Sequence, residues 1–123
     1  MIKHKSVYDP VEASDGFRVL AMTVVRDKSI RERHAYDLWM RSLGGTLDSL
    51  QRWWDGKIDT DQYYAELRQA VPVRALERLR QLEKKHGTVT VLCREHEPDP
   101  CHRYELVRMY INRYPDAAPD ARP

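Results

Sequence analysis

The chain has 123 residues, and its 21 Lys and Arg nearly balance 19 Asp and Glu, for a formal net charge of +2. That length supports one domain with a single core, and the charge balance lacks the basic bias of a dedicated DNA binder. Two cysteines are too few for a secreted disulfide scaffold, no apolar run reaches a membrane span, and the opening Met1 to Ser6 is no signal-peptide core; the expectation is a cytoplasmic protein with reduced thiols and no membrane partner.

Residues 2–8 alternate only partly and are read as an edge strand. Asp9-Pro10 and the 13–16 segment ending in Gly16 are turn chemistry. Residues 17–25 are nearly continuously apolar and rich in β-branched side chains, which predicts a strand buried on both faces. Ser29 and Glu32 have capping-box spacing, so a helix is predicted from near Ile30, with Ala35, Leu38, Trp39 and Leu43 as its apolar face and Gly44-Gly45 as its stop. A short helix around Leu47 to Trp54 follows, then one capped by Asp59 and carrying Tyr63, Tyr64, Leu67 and Ala70. Pro72 suits the start of the next helix, which runs through Leu76, Leu79 and Leu82 to the basic Lys84-Lys85-His86 and Gly87. Residues 88–93 read as a second buried strand, and Asp99-Pro100 as the start of a last helix spanning Cys101 to about Tyr114.

Strands alternating with helices predict an α/β domain over residues 1–114: a small parallel or mixed sheet flanked by helices, with 115–123 as a disordered tail. A parallel pair joined by a right-handed crossover would bring the loops after both strands to the carboxyl edge of the sheet, where such folds bind ligands. The basic cluster Arg26, Lys28, Arg31 and Arg33 lies there, either as a solvated first turn or as an anion-facing loop. Trp39, Trp53, Trp54, Tyr63 and Tyr64 fall among leucines at helical spacing, which favours packing between helices over a stacking platform.

The segment 92–103, LCREHEPDPCHR, holds both cysteines. Cys93, His96, Cys101 and His102 match zinc in ligand count. Adjacent Cys101 and His102 on a helix, however, would point about 100° apart, so no metal site is assigned. Cys101 in a first helical turn, beside His102 and Arg103, has the surroundings of an activated thiol. A Cys93–Cys101 disulfide ranks below the dithiol, and Cys93 ending an apolar strand reads mainly as packing. Free helix-start N–H groups with Arg103, joined by Arg18, Arg26 and Arg94, would accept a phosphate or carboxylate. Against all of these stands a plain capped helix start, with Arg103 paired to Glu95 or Glu97.

The string VTVLCREHEPDPCHRYELVRMYI, residues 89–111, resembles the signature of the domain-of-unknown-function 488 family, in which an apolar strand ends in Leu-Cys-x-Glu and Cys-His-Arg opens a helix. VYDPVEASDGFRVL (7–20), LDSLQRWW (47–54) and YYAELRQ (63–69) are similar to its short members, so the resemblance covers about residues 2–113. It implies a small α/β fold with charged residues at one edge, at Cys93, Glu95, Cys101, His102 and Arg103 and more weakly at Tyr8, Asp9 and Arg18, and it brings no established reaction. Where short members continue into Asp-Arg-x-Trp-Pro-Arg-Gly, this chain reads MTVVRDK, with Met22 and Thr23 at the acid and arginine positions.

The resulting expectation is an anion site for a phosphate-bearing small molecule or nucleic acid. Arg103, Arg18, Arg26 and Cys93 bind, while Glu95, Cys101 and His102 carry any chemistry. A non-enzymatic interaction module and a thiol-based redox sensor are the alternatives. Cofactor, oligomeric state and turnover are not legible at this level.

Overall fold

The computed structural model describes residues 1–32, 36–95 and 99–119. Among them a four-stranded, all-parallel sheet runs in the order β1-β4-β2-β3, from β1 (Ile2–Ser6), β2 (Phe17–Leu20), β3 (Leu38–Trp39) and β4 (Val89–Cys93). The helices are α1 (Lys28–Glu32), α2 (Leu47–Trp54), α3 (Thr60–Ala70), α4 (Val73–His86) and α5 (His102–Arg113). This is the α/β fold expected, with β1 at an edge and β2 parallel to β4. No described helix is long and apolar enough to cross a membrane.

All five residues of β4 are buried because the strand has neighbours on both sides and side chains packed on both faces. Val89 and Val91 join Val19, Leu76, Leu79, Leu106 and Tyr110 in the larger core, under α4 and α5. Leu92 joins Leu20, Val7 and Ile30 in a smaller one. The two sets alternate along the strands, as period-2 side-chain geometry requires. Gly16 opens β2 with φ +61°, and a Cβ there would run into the Thr88 carbonyl; only glycine suits that turn.

Three elements depart from the sequence reading. β2 spans four residues, not nine: Ala21 still donates to the Leu92 carbonyl (2.9 Å), but β4 then ends at Cys93 and leaves residues 22–27 without a strand partner. The helix predicted from Ile30 to Leu43 is instead α1, capped by the Asp27 carboxylate on the Ser29 N–H (2.9 Å), followed by β3 at the very Leu38-Trp39 pair taken as helical. Arg33 and Ala35 of that stretch lie outside the described residues. The exposed ladder of β2 decides it: Asp37 and Met40 donate to the Arg18 and Leu20 carbonyls at 2.8 and 2.9 Å, and long-range pairing overrides helical spacing. Finally, residues 115–117 belong to the fold. Pro115–Ala117 form a 3-10 turn, Ala117 is buried, and Asp116 pairs with Arg80 at 2.7 Å. A disordered tail from 115 therefore does not hold for these residues; 120–123 lie outside the described residues.

The aromatics pack as expected, with one exception. Trp53 stacks on Tyr63 across α2 and α3 at 4.5 Å, and Trp39 donates to the Met22 carbonyl at 2.8 Å, whereas Trp54 stays 39% exposed. The Tyr63 hydroxyl is buried with no hydrogen-bond partner among the described residues. Its desolvation has nothing to offset it, so Tyr63→Phe is expected to leave stability unchanged or raise it by about 1 kcal/mol in urea melts, with the Trp53 stack preserved. A loss of that size would reveal an unseen partner for the hydroxyl.

Candidate functional site

Parallel strands aim their carboxyl ends the same way, so the segments leaving β1, β2 and β4 converge at one edge. A cleft of about 200 Å³ opens there. Tyr8 comes from the end of β1, Met22, Thr23, Val24, Arg26 and Asp27 from the 22–27 segment, and Cys93, Arg94 and Glu95 from the end of β4. Leu50, Trp53 and Trp54 of α2 form a largely apolar wall, and His102 closes the floor at the start of α5. Gly44 lines it too: a Cβ there would strike the backbone of Thr23, so a bare backbone lets the wall segment sit close.

The cleft carries separated charges. Arg26 is exposed and its guanidinium lies 5.4 Å from the Trp54 ring centroid. Arg94 is more than half exposed, with Glu95 4.0 Å away. Tyr8 donates to the Asp27 carboxylate at 2.5 Å; that hydrogen bond, then burial, pushes the phenol above its usual pKa and keeps it a donor at neutral pH.

Of the residues expected to bind or react, the structure brings Arg26, Cys93, Glu95 and His102 to this cleft and leaves Arg18, Cys101 and Arg103 out of its lining. Arg18 is 4% exposed and pairs with the buried Asp15, which Lys5 also reaches at 3.1 Å. It sits at the second residue of β2 and braces the fold outside the cleft lining. Arg103 is fully buried. Its fork donates to His4 Nδ1 (3.2 Å), Cys93 Sγ (3.3 Å), the Glu95 carbonyl (2.6 Å) and the Tyr104 hydroxyl (3.3 Å). Arg103 thus ties α5 to β1 and to the end of β4; the Glu95 pairing is with its backbone, not its carboxylate.

Helix α5 starts one residue later than expected, at His102, and Cys101 takes the cap position with extended backbone (φ −153°, ψ 147°). Cys101 is buried, its carbonyl accepts from Tyr64 at 3.0 Å, and its sulfur lies against that of Cys93. The extended cap residue turns the Cys101 side chain back toward the end of β4, where it meets Cys93. His102 is buried, which pushes its pKa below the usual imidazole value. The neutral ring donates from Nε2 to the Ala21 carbonyl, leaving the Nδ1 lone pair 3.7 Å from Cys101 Sγ. His96, the other histidine of the loop, and Glu97 lie outside the described residues.

The model of one protein family, described as "Domain of unknown function DUF488", matches residues 3–110. The chain belongs to this family. No curated protein and no solved structure matches it. Every residue lining the cleft falls inside the DUF488 match. Met22 and Thr23 line the cleft as well. Sequence reasoning missed the part played by Trp54, Asp27 and Gly44. The first looked like one more helical apolar residue, and the other two become site residues only through contacts across the fold.

Proposed function

We propose that the chain binds a phosphate-bearing ligand with a flat ring, of the nucleotide class, in the carboxyl-edge cleft. The observation that carries this reading is the pairing in one cleft of two exposed guanidinium groups, Arg26 and Arg94, with the exposed indole of Trp54. Guanidinium forks suit phosphate oxygens, and an indole face accepts a base by stacking. Glu95 is the carboxylate at the cleft best placed to act as a base toward such a ligand. His102 supports the wall rather than moving protons, because one ring nitrogen is held by Ala21 and the other faces sulfur.

Titrating Trp fluorescence with a nucleoside monophosphate, its nucleoside and inorganic phosphate tests this. Saturable quenching by the nucleotide, weakened about tenfold in Arg26→Ala and in Arg94→Ala with unchanged thermal stability, is the expected result; tenfold is 1.4 kcal/mol, the low end for one charge-assisted contact. Equal affinity in wild type and both variants would overturn the reading. A steep linear fall of log affinity for an oligonucleotide with log salt would identify a nucleic-acid backbone as the ligand.

A further inference from the structure

We propose that, with both cysteines reduced, the Cys93–Cys101–His102 cluster binds a soft divalent cation of the zinc class. Four observations carry this, and none depends on the nucleotide reading. The ligand atoms of the three buried residues lie within 4.8 Å of one another. Tetrahedral zinc with S and N ligands sets such atoms about 3.5–3.8 Å apart, and Cys101 Sγ is already 3.7 Å from His102 Nδ1. The objection that neighbours on a helix diverge does not apply, because Cys101 is extended and lies outside the helix.

The second observation is the histidine. Its Nε2–H is held by the Ala21 carbonyl, so the nitrogen turned to the sulfurs bears the lone pair. A backbone carbonyl on the far N–H is the usual support of a metal-ligating imidazole. The third is charge. Arg103 is wholly buried, and among the described residues its partners are an imidazole, a carbonyl, a phenol and Cys93 Sγ, with no carboxylate. A disulfide brings no charge to that cation, whereas a Cys93 thiolate 3.3 Å away does. The fourth is access: Cys93 and His102 line the cleft, so an ion held there keeps its remaining position toward the cleft.

Where the Cys93–Cys101 pair is oxidised, a dithiol reductant opens it. It gives two electrons and two protons to the Cys93–Cys101 bond, which breaks to two thiols, and leaves as its own disulfide. The dication then displaces both thiol protons to solvent, and two thiolates offset its charge.

The test uses the whole chain, reduced anaerobically, freed of reductant and titrated with Co²⁺ and with Zn²⁺ while circular dichroism follows the fold. One ion per folded chain is expected, with thiolate-to-cobalt charge-transfer bands that Zn²⁺ abolishes. The oxidised chain should take up none. Cys93→Ser and Cys101→Ser should each weaken binding roughly 100-fold or more and lower the band intensity per bound cobalt, and the double variant should lose the bands. His102→Ala should weaken binding while keeping the charge-transfer bands. Reduced wild-type chain that binds neither ion or binds only when unfolded, or cobalt bands that survive in the Cys93→Ser/Cys101→Ser double variant, would overturn the assignment.

Discussion

Arg103→Ala is expected to cost about 3 kcal/mol or more of folding stability, enough to unfold a large fraction of a marginally stable domain. The side chain is among the largest fully buried ones, so truncation opens a cavity between α5, β1 and β4. It also strips the Glu95 carbonyl of its 2.6 Å donor and Cys93 Sγ of its 3.3 Å donor, and each buried polar group left alone adds its own desolvation cost. Arg103→Lys keeps the charge without the planar fork and is expected to recover only part of the loss. Urea denaturation with both variants decides the matter. An Arg103→Ala protein as stable as wild type, but unable to bind a nucleotide, would return this arginine to the binding role that its place in the Cys-His-Arg motif suggested.

The second large effect is expected at the opposite end of the sheet. Asp15→Asn should cost about 3 kcal/mol at neutral pH, because it leaves the buried Arg18 and the nearby Lys5 facing a neutral amide. Burial pushes the Asp15 carboxyl up, but hydrogen bonds from the Glu12 backbone, Lys5 and Arg18 outweigh it and hold its pKa below the ordinary value. A carboxylate depressed in the folded state contributes stability above its unfolded pKa, near 4, and loses it as pH falls through the lower folded value. Glu83 follows the same rule: burial pushes it up, while the N-terminal amine, Tyr110 and Arg80 bring it down further. Half-buried Glu66 is held at about 2, first by Arg52, then by Ser49 and Gln62. Wild type is therefore expected to lose stability steadily below pH 4, and Asp15→Asn to lose less over that interval. Parallel acid profiles for the two proteins would show that the Asp15–Arg18 pair does not carry the dependence.

Local signals located most of the fold. The β-branched, mostly apolar run at 88–93 reads as a buried strand, and β4 is all buried between β1 and β2 in the sheet. Caps are equally local: Asp59 accepts the Gln62 N–H at 2.8 Å, as its spacing from α3 demanded. The Leu38-Trp39 pair failed because its helical spacing was genuine but weak, while the open ladder of β2 offered backbone partners that no local pattern records. The site divides the same way. Glu95 and Arg26 were legible as groups leaving strand ends, and Trp54 was not, since nothing in a helical repeat tells an exposed indole from a packed one.

The sequence by itself thus determined the family, the α/β order and the edge of the sheet where the cleft lies, because each rests on residue periodicity and strand direction. Only the tertiary structure decided which charges face that cleft. Arg26 and Arg94 stay in solvent, while Arg18 and Arg103, identical in chemistry, are drawn inside by Asp15 and by the groups ending β4. It also decided that two sulfurs and an imidazole meet. One extended residue at a helix cap, joined to a strand end that lies beside it only in the folded sheet, sets their convergence.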